Sequence, residues 1–321
     1  MISTLRRFIK KSYVQFIVSM IFLFPIINGQ ILAQDENSSG LKLTVLIDNN
    51  TLTQIDADFR GEPGLSFYIE CDHINILFDN GYSDLFIENA SKMHINLQDI
   101  DYIVLSHGHC DHTWGLVSLI QLHTNWAMQG LTFKRPILVS HPDAFLPKII
   151  MDSWQIGSLL SEDEISRRMD LKFSKSPVWI TEHLVYLGEI ERSNDFEGLQ
   201  PVGKVKKDGV WAEDYILDDT ALAYKSKEGL VIITGCSHSG ICNIIEYAKK
   251  VCNETRIIDI IGGFHLLNPS EKQLKGTLDY LETLNPPVVH ACHCTDLHSK
   301  IALSKVVRIE EVGVGFQLRY E

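Results

Sequence analysis

Apolar and polar residues alternate through Leu41-Lys42-Leu43-Thr44 and then run apolar through Val45-Leu46-Ile47, the pattern of a strand buried first on one face and then on both. Two similar runs, 65–70 and 74–78, flank Cys71-Asp72-His73 and predict a hairpin that ends in the turn Asp79-Asn80-Gly81. A helical pattern covers 84–92, a β-branched strand covers 100–105, and a second helix covers 113–122. The pattern then loosens. Between 123 and 215 it predicts a strand over 136–140, a helix over 161–170 and a charged, glycine-containing stretch over 189–209. The segment 124–215 therefore reads as a cap-like insertion that either lies over a site or is a solvated excursion. Beyond it, 220–224 and 230–234 form a hairpin over 225–229, followed by a helix at 241–251, a strand at 256–261, a helix at 272–284 and a strand at 287–290. No internal repeat or low-complexity segment interrupts this order.

The recurring unit is a strand, a short loop holding His or Cys, and a helix. Loops held at strand ends by a rigid scaffold are where chemistry is usually placed. The first of these loops is Leu105-Ser106-His107-Gly108-His109-Cys110-Asp111-His112, which concentrates three of the chain's 13 histidines.

The N-terminus changes the picture of where the chain works. Arg6, Arg7, Lys10 and Lys11 precede an uncharged run over 16–27, and small residues follow at Asn28-Gly29 and Ala33. That order predicts an export signal over 1–33, too short in its apolar part to span a bilayer comfortably, then a polar linker over 34–40 and one domain over 41–321. The expectation is a periplasmic or secreted protein with no stable membrane span once the signal is removed. Without its four N-terminal basic residues the chain carries 25 basic against 41 acidic groups, a net of −16. Such a charge repels phosphate backbones at long range and weighs against nucleic acid as a partner, leaving small molecules as the expected substrates. All seven cysteines lie in the exported part. An odd count leaves at least one thiol free or metal-bound, and Cys292 and Cys294 are too close along one segment for an easy disulfide.

In His107-Gly108-His109, two imidazoles two positions apart can grip one cation, with Gly108 removing the side chain that would crowd them. Asp111 and His112 address a second position close by. The nitrogen and oxygen mixture suits zinc, manganese or iron, and two such ions about 3.5–4 Å apart share a nucleophile available at neutral pH. A single histidine is usually a packing or surface residue, but four ligand-type groups at a strand end are hard to obtain from packing needs.

The spacing His107-x-His109-x-Asp111-His112 resembles the signature of the metallo-β-lactamase superfamily, and Asp79 resembles the strand-end aspartate that steadies its histidine loop. The segments "LGEIERSNDFE" at 187–197, "GCSHSGI" at 235–241, "GGFHLL" at 262–267 and "HCT" at 293–295 resemble the branch named for dihydropterin-ribofuranosylaminobenzene-phosphate synthase. The resemblance spans 41–321. It implies an α/β fold, the four-layer αβ/βα sandwich, with metals at one edge of two facing sheets. Typical members have a histidine before the late hairpin and end it with "TGD"; here Asp218-Asp219 precedes the hairpin and Thr234-Gly235-Cys236 ends it. His238 is the candidate to complete the first metal site and His293 the second, with Cys236 and Asp219 as bridging or supporting groups. Glu189, Arg192 and Glu197 are offered as substrate contacts, with Arg192 the natural anchor for a phosphate or carboxylate. His265 follows Gly262-Gly263, which allow close backbone approach, and reads as a substrate-binding residue, a ligand or a structural histidine.

These residues imply a metal-dependent hydrolase holding two divalent cations, zinc first, with Asp111 managing a proton and an ester, lactone, thioester or phosphoester as substrate. The alternatives are a pterin-related synthase as in the named branch, a mononuclear iron oxidoreductase, and a non-catalytic metal or ligand binder. His73, His94, His123, His183 and His298 are assigned to packing or surface, His290 to a strand near the site, and His141 to a hydrogen-bonded structural role.

Overall fold

The structure, a computed structural model, describes residues 40–52 and 58–321. The expected export signal over 1–33 lies outside the described residues, as does the linker up to residue 39. No helix of the described residues is long and apolar enough to cross a membrane.

Seven strands form one sheet in the order Gln317–Tyr320, Leu41–Ile47, Ser66–Cys71, Ile74–Phe78, Tyr102–Val104, Ile137–Ser140 and Asp170–Phe173. The first four pair antiparallel and the remaining pairings are parallel. Six strands form the second sheet in the order His290–Cys292, Ile257–Gly263, Leu230–Thr234, Ala221–Lys225, Leu184–Tyr186 and Val178–Trp179, with the first three parallel.

Successive residues of the central strands feed different cores, as a period of two requires. Phe78, Val104 and Val139 of the first sheet meet Val231, Ile233 and Ile261 of the second, and this cluster fills the sandwich. Their neighbours Leu77, Ile103 and Leu138 turn outward onto Phe86, Leu116 and Leu119 of the helices Leu85–Lys92 and Gly115–Met128. On the other side Ile232 and Ile260 pack against Ile244, Ile245 and Leu281 of the helices Ile241–Cys252 and Glu271–Leu284. Strands buried on both faces read as near-continuous apolar runs, which is what "LVIIT" and "IIDIIGG" are. The chain is thus an α/β protein of four layers, helices on sheet on sheet on helices.

Two expectations need correction. The helix expected over 161–170 is only Glu162–Ser166, opened by a reciprocal cap between Ser161 and Glu164. Its second half is the strand Asp170–Phe173, because Leu171 and Phe173, two apart, both face the outer core of the first sheet. The segment 124–215 is not a continuous insertion. It supplies two strands to each main sheet, and only Lys148–Ile150, Trp154–Gln155, Lys204–Lys207 and Val210–Glu213 stand apart as a small antiparallel sheet.

That small sheet is fastened to the histidine loop. The Cys110 N–H donates to Ile156 O at 2.7 Å, Trp114 Nε1 donates to Gly157 O at 2.8 Å, and His109 bridges Gly157.

Candidate metal centre

The parallel strands deliver their chain to one edge of the sandwich, and the loops there hold the ligand-type residues. Asp79 ends the strand Ile74–Phe78 in the left-handed region, with a φ of 57°. Its fully buried carboxylate accepts the Ser106 N–H at 2.8 Å, Ser106 Oγ at 2.7 Å and His112 Nδ1 at 2.7 Å. One side chain thereby fixes the start and the end of the histidine loop. With Nδ1 committed to Asp79, His112 presents Nε2 to the interior.

Gly108 earns its place by crowding. A Cβ there would lie 2.1 Å from Ala144 O, while its N–H donates to Asp218 Oδ2 at 2.8 Å. Gly235 is similar, since a Cβ would sit 2.1 Å from Ser106 Oγ.

The outcome is a cluster of buried imidazoles. Ring centroids lie 4.6 Å apart for His107 and His109, 4.7 Å for His107 and His238, 4.8 Å for His109 and His238, and 5.1 Å for His112 and His293. Donor atoms fall into sets whose members lie within 4.8 Å of one another: His107, His109 and Asp111; His107, Cys236 and His238; Asp111, His112, Cys236 and His293. Cys236 Sγ stands 3.2 Å from His112 Nε2 and 3.3 Å from His293 Nε2, at the point where two of these sets meet.

His107 Nε2, His109 Nε2 and both ring nitrogens of His238 are buried without a hydrogen-bond partner among the described residues. Polar atoms stranded in this way are costly unless something else satisfies them, and a cation does so. The residues present therefore fit a metal of the nitrogen, oxygen and sulfur type.

The electrostatics divide the cluster. Burial, aided by neighbouring imidazoles, holds His107 and His238 well below the usual histidine range, and burial brings His109 down to about 4. Burial also works against a charged His112, but Asp111 and Asp79 outweigh it and raise the imidazole to about 9. Asp111 is opposed by burial too, yet His112 and His293 hold it well below the carboxylate range. Asp111 is also the ligand-type side chain that opens to solvent, at 27% exposed against 0% for His112 and 4% for His293.

His265 joins the cluster, its ring 4.2 Å from that of His238. Three other expected substrate contacts do not. The Arg192 guanidinium is spent on backbone carbonyls, donating to Gly198 O at 2.6 Å, Tyr215 O at 2.5 Å and Ile216 O at 3.2 Å. Glu189 accepts from His141 Nε2 at 3.2 Å and Lys175 Nζ at 3.1 Å. Glu197 receives the Cys242 and Asn243 N–H groups and so caps the helix Ile241–Cys252. A sequence of charges in a loop does not say which charges are already occupied. Asp219 takes the Ser239 N–H at 2.9 Å and leaves Oδ1 buried without a partner among the described residues; burial raises its carboxyl to about 6.

Sequence reasoning missed Asp48 and Asn49. Asp48 accepts the His293 N–H at 2.8 Å, and Asn49 Oδ1 faces His293 Nδ1 at 2.9 Å, which leaves Nε2 for the centre. A signal was present: "IDNN" at 47–50 repeats the strand-end Asp-Asn of "FDNG" at 78–81. It also missed Lys148 and Cys294.

A four-layer sandwich whose parallel strands carry H-x-H-x-D-H at one edge defines a class of metal-centred α/β proteins. The metallo-beta-lactamase superfamily profile matches residues 60–125. An uncharacterized protein of Methanocaldococcus jannaschii is 30% identical over 82% of this chain and 94% of its own length. A 7,8-dihydropterin-6-methyl-4-(beta-D-ribofuranosyl)-aminobenzene-5'-phosphate synthase of the same organism is 29% identical over 78% of this chain and 88% of its own. Among solved structures, a metal-dependent hydrolase of the beta-lactamase superfamily superposes with a TM-score of 0.72 at 28% identity, covering 87% of this chain and 98% of that one. The chain belongs to the metallo-beta-lactamase superfamily.

Proposed function

We propose that the protein is a metal-dependent hydrolase of a small ester, lactone, thioester or phosphoester. The observation that carries this is the convergence of three imidazole rings, His107, His109 and His238, each with a ring nitrogen that has no hydrogen-bond partner among the described residues, beside the solvent-facing carboxylate of Asp111. His107, His109 and His238 would hold one divalent cation, and Asp111, His112 and His293 a second, with Cys236 between them and zinc the expected metal. When bound, such a pair supplies Lewis acidity toward a carbonyl or phosphoryl oxygen and makes water acidic enough to react near neutral pH.

The chain's own groups do the rest. Asp111, anionic at neutral pH and open to solvent, orients water and takes up its proton. His265, half-buried beside His238, is placed to touch the substrate. Asp79, Ser106 and Asn49 hold the imidazoles in one orientation.

A pterin-related synthase is the second reading, supported by the 29% identical relative. The segment over 1–33 favours an exported protein, which fractionation of cells expressing chains with and without it tests. For catalysis, the purified protein is assayed for metal content and against ester, lactone, thioester and phosphodiester substrates. The double variant His107→Ala/His109→Ala is expected to keep its fold and lose turnover; a variant that still turns substrate over refutes the hydrolase reading.

A further inference from the structure

Three adjacent parallel strands, Leu230–Thr234, Ile257–Gly263 and His290–Cys292, each place a metal-ligating residue two positions past the strand end: Cys236, His265 and Cys294. The donor atoms of these three residues lie within 4.8 Å of one another, a set that meets the groupings of imidazole and carboxylate at Cys236 alone. In tetrahedral zinc with Zn–S of about 2.3 Å and Zn–N of about 2.0 Å, neighbouring ligand atoms are roughly 3.5–3.8 Å apart, so closing the set onto an ion needs at most about an ångström of movement.

Packing does not account for the two thiols. Cys236 and Cys294 are 4% and 6% exposed, yet neither belongs to an apolar core, whereas buried Cys71, Cys242, Cys252 and Cys292 all do. The local backbone is shaped around them. A Cβ on Gly263 would meet Cys294 Sγ at 2.5 Å, so the glycine makes the room that this sulfur occupies. His265 sits at a φ of 51°, in the left-handed region that histidine visits more readily than most residues, and its N–H donates to Cys294 Sγ at 3.3 Å. Amide donation to sulfur favours the thiolate and is the kind of support that sulfur ligands receive. His265 Nδ1 is buried with no partner among the described residues.

We propose that Cys236, His265 and Cys294 form a soft-cation site, a Cys2His set with an open fourth position, that shares the Cys236 thiolate with the neighbouring histidine centre. Thiolate ligands select zinc or cadmium over manganese, so the same edge of the sandwich sorts cations by softness. Each thiol gives its proton to solvent as the metal–sulfur bond forms. The proposal meets the hydrolase reading at Cys236, which both centres share, and at His265, whose ring would ligate a soft cation when one is bound here and face substrate otherwise.

The test uses the full chain stripped of metal and titrated with cadmium, followed by sulfur-to-cadmium absorption and cadmium-113 resonance. Wild type is expected to report two sulfur ligands on one cadmium, and Cys294→Ser to lose about half of the absorption with a resonance moved to the one-sulfur range. Manganese bound at the imidazoles is expected to be unchanged by Cys294→Ser. A one-sulfur resonance in wild type overturns the proposal with no variant needed, as does an absorption that Cys294→Ser leaves intact. His107→Ala/His109→Ala separates the two readings: a retained two-sulfur signal upholds this site whatever becomes of turnover.

Discussion

Asp218 accepts the backbone N–H of Gly108, 110 positions away, at 2.8 Å between the two metal-type histidines of the loop. Its other oxygen takes the Lys148 ammonium at 2.8 Å, and Lys148 reaches Asp214 at 2.7 Å. All three side chains are within 5% of full burial. The small sheet therefore touches the centre through a charged, dry contact that positions Gly108.

Lys148→Met leaves two carboxylates buried without their cation, and removing one partner of a buried ion group costs about 3–5 kcal/mol. Denaturant unfolding of the metal-free variant is expected to show a loss of that size, together with weaker metal retention. Lys148→Met/Asp214→Asn/Asp218→Asn removes the stranded charges and is expected to recover much of the stability. A single variant as stable as wild type contradicts the positioning role of Lys148.

Asn49→Ala removes the acceptor that orients His293 without touching a ligand atom. Losses of such supporting hydrogen bonds typically weaken metal binding 10–100-fold. The expected result is a titration in which one equivalent binds as in wild type and the other is weakened. Two equivalents bound as tightly as before mean that His293 is held by its backbone bond to Asp48 alone, or is no ligand.

The two sheets and their helices were legible because their strands are buried on both faces and their loops punctuate sharply. The apolar run "LVIIT" can hardly be anything but a central strand when it ends at a glycine. The centre was legible for the same reason: His107, His109, Asp111 and His112 fall within six residues, and local spacing is what a sequence displays. His238, His265 and His293 needed the family resemblance, since 126 or more positions separate them from Asp111 or His112 and only the fold brings them close. The Arg192 guanidinium donates to three backbone carbonyls, which every residue carries, so nothing in the sequence displayed its partners. Lys148 gave no signal at all, being one lysine in a weakly patterned stretch whose two acidic partners lie 66 and 70 residues away.

The proposed metal binding at His112 is governed by its proton. In the metal-free protein the imidazole titrates at about 9, so near pH 7.5 it is protonated, while His109, at about 4, is not. A cation entering between Asp111, His112 and His293 must displace that proton, so its apparent affinity rises with pH until about 9 and levels off above it. A histidine raised above its ordinary 6.5 stabilises the folded metal-free chain fully below 6.5 and loses that contribution as pH climbs through about 9. Stability of the metal-free protein from this group is therefore lower at high pH, while metal binding is stronger there. Cys236 also keeps its proton through burial, so the count is cleanest in Cys236→Ser. Calorimetric titration of that variant in buffers of differing ionisation enthalpy is expected to show about one proton released at this position near neutral pH. The imidazoles of His107, His109 and His238, neutral already, release none, and their cation is expected to persist into mildly acidic solution after the other has dissociated. Equal acid sensitivity of both equivalents contradicts the assignment of His112 and His109 to different cations.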